Sequence, residues 1–245
     1  MKRDRLTTER LHLILMLALT FSTGVVDAVG YLGLDRVFTG NMTGNVVILG
    51  MALAGGASLP VLRPALALLG FMFGAAVAGR LLRPDGPGWG SRSSGAFLAV
   101  AAGLAALAAV AFLVPEADRG PTGTVVTTVL AILMGVQAAT ARRLKVTDVT
   151  TVVVTSTIVG LSSESRLAGG TGGFWRRRSL AVVLILLGAL AGGTALRWHL
   201  GLGLALSAAL TAAVVGVGHA RHRKDAHTAA RGRLDVTPLS PDRHS

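Results

Sequence analysis

The chain has 245 residues, of which 51% are hydrophobic and only 15% are charged, and its mean hydropathy is +0.62. Soluble domains carry about 25% charged residues, so this composition excludes an ordinary soluble protein and, for most of the chain, disorder. The sequence has no cysteine, which excludes disulfides, thiolate metal sites and a cysteine nucleophile. Its 24 Lys and Arg residues gather at the ends of apolar segments, which favours membrane orientation over nucleic-acid binding.

Six apolar segments are long enough, at about 20 residues, to cross a bilayer as helices. In chain order they are Leu11–Leu32, Pro64–Leu82, Gly95–Val114, Thr122–Ala141, Ser179–Leu196 and Leu200–His219. Each is apolar nearly all round, unlike the amphipathic helices of soluble domains. The sequence therefore predicts an all-α polytopic membrane protein.

Two further segments are too short to be good spans. Phe38–Gly55 opens with a polar run, and its cleanly apolar part, Val46–Ala54, would reach only about 14 Å as a helix, half of a 30 Å bilayer core. Val149–Leu161 is also short and is rich in Thr. We predict that both are re-entrant half-helices, which enter and leave the membrane on one side. The alternative is that both cross, giving eight spans.

The distribution of basic residues favours six spans. With six spans and two half-helices, 20 of the 24 Lys and Arg residues lie on the same side as residues 1–10; with eight spans, 16 do. Cytoplasmic loops collect Lys and Arg, so we expect residues 1–10 and the C-terminal tail, residues 219–245, to be cytoplasmic. The tail is basic and poor in large apolar residues. It is predicted to be mobile and attracted to anionic lipid headgroups.

The chain contains a candidate internal repeat. The Thr-Gly-Asn run at 43–45 is followed 112 residues later by Thr-Ser-Thr at 155–157. Residues 11–114 and 120–218 are therefore predicted to be two repeats, each with three spans and one half-helix. An odd number of spans inverts the second repeat relative to the first, as in many channels and secondary transporters. Chance similarity between apolar segments is the alternative.

Two small-xxx-small pairs occupy corresponding places in the two halves and allow helices to approach closely. They are Gly70 with Gly74, and Gly188 with Gly192. We predict that they pack helices within the bundle; the alternative is a contact between copies in a homo-oligomer.

Asp27 is the strongest candidate for function, because an ionisable residue inside a membrane span costs about 2.5–3.5 kcal/mol or more and usually faces the bundle interior. It is a candidate proton or cation site. The alternative is a carboxylate that satisfies nearby irregular backbone.

Polar residues of the two half-helices, with one from the fourth span, are the other candidates for a solute or ion path. They are Asn41, Thr43, Asn45, Gln137, Thr155 and Thr157. A broken helix leaves backbone groups that Asn and Thr side chains can satisfy, so a purely structural role would require the same composition.

The run Gly24–Tyr31, which contains Asp27, and the run Phe38–Asn45, with its Asn-Met-Thr-Gly-Asn sequence, resemble the YoaK family of bacterial inner-membrane proteins. The resemblance covers roughly residues 11–220. It implies about six spans and an inner-membrane location. The family has no established substrate, so the resemblance implies nothing about mechanism.

The most favoured function is a small secondary transporter or channel for a small solute or ion, with Asp27 as the coupling site. A non-transporting membrane component, such as a subunit, scaffold or lipid-binding regulator, is the main alternative. An enzyme is disfavoured, because the sequence has no paired intramembrane carboxylates and no nucleophile motif. The histidines do not converge in the sequence, and we predict neither a metal site nor a cofactor.

Overall fold

The computed structural model describes residues 2–56, 58–85, 88–144, 154–171, 173 and 175–234. These residues form eight α-helices and one short 3-10 turn, with no strand among them. The helices are α1 (Lys2–Gly33), α2 (Met42–Leu53), α3 (Leu62–Leu81), α4 (Ser91–Leu113), α5 (Gly120–Arg143), α6 (Val154–Ser163), α7 (Trp175–Ala195) and α8 (Leu200–Leu234). The prediction of an all-α protein is confirmed.

Six of these helices are long and apolar enough to cross a membrane, judged by length and composition. Their membrane-compatible parts are Glu9–Gly33, Leu62–Leu81, Ser91–Leu113, Gly120–Arg143, Trp175–Ala195 and Leu200–Ala226. The other two, α2 and α6, have only 12 and 10 residues. The six long segments predicted from hydropathy are therefore confirmed. Residues 149–153 of the second short segment lie outside the described residues.

Helix α8 extends beyond the predicted end of the sixth span. We expected a mobile tail from residue 219, but α8 continues as one helix to Leu234. Ala, Arg and Lys are strong helix formers, and Arg221 pairs with Asp225 one turn later at 3.1 Å, so the helix can extend beyond its apolar part. Residues 235–245 lie outside the described part of the chain.

Glycines allow two pairs of long helices to approach closely. On α7, Gly188 lies against the backbone of Phe21, and Gly192 lies against Val25, where an added Cβ would be 2.5 Å from the carbonyl oxygen. The same arrangement occurs between α3 and α5, where Gly70 lies against Thr128 and Gly74 against Ile132. Because residue numbers rise together on both partners, α1 runs parallel to α7, and α3 runs parallel to α5.

The remaining directions follow from contacts of α8 and of the α4–α5 connection. Phe112 and Ser94, near opposite ends of α4, contact Gly201 and His219 of α8, so these two helices are antiparallel. Helix α8 is also antiparallel to α1, because Gly203 packs on Val29 whereas Ser207 bonds to Ser22 O.

The direction of α3 and α5 relative to α4 is fixed at both ends. Arg63, at the start of α3, donates to Asp118 O and Gly120 O, beyond the end of α4 and at the start of α5. Arg143, at the end of α5, donates to Asp85 O in the connection between α3 and α4. Hence α1, α4 and α7 run one way, and α3, α5 and α8 run the other. Each short helix therefore lies in the connection between two antiparallel long helices.

Candidate functional site

The chain reverses direction immediately after α1 and returns alongside it. An added Cβ at Gly30 would lie 2.5 Å from Val37 O, so this close approach of two backbones requires glycine. One residue further, the ring of Tyr31 stacks on that of Phe38 with centroids 4.8 Å apart. The returning segment therefore reaches the level of Asp27, about 9 Å along the axis from the end of α1, before α2 begins.

Asp27 binds the backbone at the start of α2. Its Oδ1 accepts hydrogen bonds from the N–H groups of Thr39 at 3.0 Å, Gly40 at 2.6 Å and Asn41 at 3.3 Å. The side chain is 9% exposed. A carboxylate at a helix N-terminus satisfies N–H groups that have no intrahelical partner and complements the positive end of the helix dipole. The alternative role predicted for Asp27, a carboxylate that satisfies nearby irregular backbone, thus accounts for its Oδ1 atom.

Two asparagines complete the turn before α2. Asn45 is buried and pairs with the backbone of Phe38 in both directions: its Oδ1 accepts from Phe38 N at 2.9 Å, and its Nδ2 donates to Phe38 O at 2.6 Å. Asn41 is exposed, and its Oδ1 accepts from Gly44 N at 3.4 Å as the cap of α2. Asn45 therefore fixes the loop, whereas Asn41 also presents its amide to the surroundings.

A cavity of about 500 Å³ adjoins this turn. Its walls come from α1, the returning segment, the first half of α2, the beginning of α6 and the middle of α7. Four predicted site residues line it: Asp27, Asn41, Thr43 and Thr155. The structure thus brings residues of both short helices to one cavity. It does not place Asn45, Thr157 or Gln137 among the lining residues.

The second oxygen of Asp27, Oδ2, receives no hydrogen bond from a backbone N–H of the described residues. The nearby hydroxyl of Thr39 donates to Val26 O at 3.4 Å. Asp27 also lines the cavity, so its carboxylate is the acidic group next to that space.

Gln137 of α5 lies next to the cavity rather than in it. It is almost completely buried, and its Nε2 donates to the Thr23 hydroxyl at 3.4 Å. That hydroxyl lines the cavity and donates to Leu19 O at 2.9 Å. The Gln137 Oε1 atom has no hydrogen-bond donor among the described residues. A buried acceptor without a donor is uncommon, so this atom marks a place where a donor is missing.

The sequence analysis missed two buried arginines, which begin the long helices that follow the short ones. Arg63 of α3 lies 3.9 Å from the Asp35 carboxylate, in addition to its bonds to the α4–α5 connection. Arg178 of α7 donates to Gly160 O at 2.8 Å and to Glu164 at 2.7 Å, at the end of α6. The positive-inside rule explains arginines at span ends but gives no signal that these two turn inward.

Across the described ranges, no group of three or more His, Asp or Glu side chains is placed to hold a metal ion. The absence of a metal site and of a cofactor stays a prediction.

These features define a helical, multi-span membrane protein in which a buried carboxylate meets the start of a short helix. Residues 15–217 match the family described as "Protein of unknown function (DUF1275)", and the chain belongs to that family. The chain is similar to the UPF0700 transmembrane protein YoaK of Bacillus subtilis (strain 168), with 29% identity over 191 residues, which cover 72% of this chain and 80% of that protein. The resemblance to the YoaK family is thus confirmed. No solved structure matches.

Proposed function

We propose that the protein is a small secondary transporter or channel for a small solute or ion, whose path passes through the cavity beside Asp27. The observation that carries this function is the position of Asp27: an acidic residue of a long apolar helix lines a cavity together with the starts of two short helices. Burying a carboxylate at such a depth is costly, and intramembrane acids commonly mark ion and substrate pathways.

The packing of the helices supports an inverted repeat. If α1 to α4 correspond to α5 to α8, the contact of α1 with α7 becomes the contact of α5 with α3, and both are made through glycines. The contacts of α4 with α8, and of each short helix with the following long helix, are also preserved by this exchange. Transporters built from inverted repeats bind their substrates where the repeats meet, at discontinuous helices.

The helix directions support re-entrant half-helices. A full crossing by α2 would make α1 and α3 parallel, whereas they run in opposite directions. The same holds for α6 between α5 and α7. Both short helices then enter and leave on one side, and the six-span distribution of Lys and Arg applies. We propose that residues 1–10 and the end of α8 are cytoplasmic and that the protein resides in the bacterial inner membrane.

The proposed partners are the unknown solute or ion and anionic lipids around the basic helix ends; nucleic acid is not a proposed partner. A homo-oligomer held by the four glycines is not proposed, because these glycines already pack against helices of the same chain. We propose no enzymatic activity. A non-transporting role is favoured by one specific observation: Asp27 Oδ1 already performs a structural task at the start of α2.

Cysteine accessibility separates these two functions, because the native chain has no cysteine. A Thr155→Cys variant places a thiol in the cavity, and a Leu69→Cys variant places one on the exposed apolar face of α3 as the control. Both are treated with a membrane-impermeant thiol reagent in intact cells and in inside-out vesicles. A path across the membrane predicts labelling at Thr155→Cys from both sides and none at Leu69→Cys. Labelling of Thr155→Cys from one side only, or from neither, would contradict transport through this cavity.

The same approach tests topology. In Ser58→Cys the thiol follows α2, and in Ser91→Cys it begins α4. Re-entrant half-helices predict that intact cells label only Ser58→Cys and that Ser91→Cys requires permeabilisation, which also serves as the control for reactivity. The reverse pattern would mean that α2 and α6 cross the membrane.

A further inference from the structure

The charged group at the cavity, the Asp27 carboxylate, is a hydrogen-bond acceptor. The N–H groups of the three residues that precede α2, Thr39, Gly40 and Asn41, are bound to Asp27 Oδ1 at distances between 2.6 and 3.3 Å. Asp27 lines the cavity, and its Oδ2 receives no hydrogen bond from a backbone N–H of the described residues. A ligand that bonds to this carboxylate must supply a hydrogen-bond donor.

The charge at the cavity disfavours an anion. Its described lining contains one carboxylate and no Lys, Arg or His side chain. The Asp27 carboxylate lies at the positive end of α2, which would otherwise suit an anion, because its Oδ1 accepts from the N–H of the N-cap residue Asn41. An anionic ligand would therefore lie next to the carboxylate, whereas a cation would be attracted to it.

The walls are suited to an organic ligand. Tyr31 and Phe38 form a stacked aromatic pair beside Asp27, and Val47, Ile48 and Ile185 add an apolar surface. Aromatic rings attract ammonium groups through the negative face of the ring. A bare metal ion would instead require several oxygen ligands around one point. A cavity of about 500 Å³ leaves room for an amine with an apolar substituent.

We propose that the cavity binds a small organic ammonium ion with N–H donors, its ammonium group on Asp27 Oδ2 and its apolar part against Tyr31 and Phe38. The identity of this cation as the transported solute rests on the proposed function; its binding does not. A carboxylate and an aromatic face together select for positive charge, and because the carboxylate accepts hydrogen bonds, it favours N–H groups over methylated nitrogen.

Binding is tested on the full chain purified in detergent, with thermal unfolding followed by tryptophan fluorescence at constant ionic strength. The probes are n-butylammonium, 2-phenylethylammonium, tetramethylammonium and butyrate. The two primary ammonium ions should raise the melting temperature in a dose-dependent manner, and butyrate should not. Tetramethylammonium, which has no N–H donor, should bind more weakly.

Three variants locate the site. Asp27→Asn keeps an acceptor for the α2 backbone but loses the charge, and should weaken binding of n-butylammonium by at least about 10-fold. Tyr31→Leu removes one aromatic face and should weaken it about 3-fold. Asp35→Asn, outside the cavity and only eight residues further along, is the matched control and should bind as wild type does.

Stabilisation by butyrate, or by none of the ammonium probes, would overturn the inference, and so would equal binding of tetramethylammonium. If Asp27→Asn does not fold, the Tyr31→Leu variant alone decides, and unchanged binding there refutes the assigned position. Ammonium binding together with one-sided labelling of Thr155→Cys would leave this site standing while removing the transport function. Labelling of Thr155→Cys from both sides without ammonium binding would support the transport function and overturn the ammonium site.

Discussion

The two short helices are fixed at opposite ends and by opposite charges. A carboxylate from the preceding long helix holds the start of α2, where Asp27 bonds to three backbone N–H groups. A guanidinium from the following long helix holds the end of α6, where Arg178 bonds to Gly160 O and Glu164. Both arrangements complement the helix dipole. The two short helices are therefore stabilised by different chemistry, and of these charged side chains only that of Asp27 lies beside the cavity.

The largest expected effect is at Asp27. Asp27→Ala removes the acceptor of three N–H groups in a buried place, and we expect the free energy of unfolding to fall by about 3 kcal/mol or more. Unfolding by titration with a denaturing detergent measures the change, with Asp27→Asn as the variant that retains an acceptor. A loss below about 0.5 kcal/mol, which is the usual range for surface substitutions, would show that α2 does not depend on this carboxylate.

Arg178→Met should have the next largest effect, about 2 kcal/mol, because Glu164 is 55% exposed and water can replace part of the lost interaction. Amide hydrogen exchange should become faster in α6 and stay unchanged in α2. Arg176→Met, at an exposed position two residues earlier, should leave both helices as in the wild type. Faster exchange in α2 as well would mean that the two short helices are not held independently.

Asn45→Ala should cost about 1.5 kcal/mol, because both hydrogen bonds to the Phe38 backbone are lost. The control is Asn41→Ala, whose one bond is exposed and 3.4 Å long, and which should cost at most about 0.5 kcal/mol, at the low end of helix-cap substitutions. Thermal unfolding of the two variants side by side checks the order. A larger loss of stability for Asn41→Ala than for Asn45→Ala would show that the helix cap, rather than Asn45, stabilises the turn.

The smallest expected effect is at Gln137. Gln137→Met removes an unpaired buried acceptor and one long hydrogen bond, so stability should stay within about 0.5 kcal/mol of the wild type. The same denaturing titration used for Asp27 measures it. A loss as large as that at Asp27 would indicate that Gln137 does in α5 what Asp27 does in α1.

The sequence was sufficient for the long helices, because each apolar segment exceeds the length that spans a bilayer. It also placed Asp27 and Asn41 at one site, since both lie near the break between α1 and α2. The sequence could not show which oxygen of Asp27 accepts the backbone hydrogen bonds. A carboxylate that caps a helix and a carboxylate that binds a ligand can be flanked by the same residues in the sequence. The inward positions of Arg63 and Arg178 depend on contacts 14 to 57 residues away, which no local pattern records.

The return of the chain beside α1 also bears on how the protein is made. Helix α1 can pack against α7 only after some 150 further residues have been synthesised. Until then, the Asp27 side chain in the membrane is not buried by the rest of the bundle. The backbone that binds Asp27 lies only 12 to 14 residues further along and leaves the ribosome almost at once. We therefore expect α1, the returning segment and α2 to insert as one unit, with the nascent chain itself shielding the charge until the bundle closes.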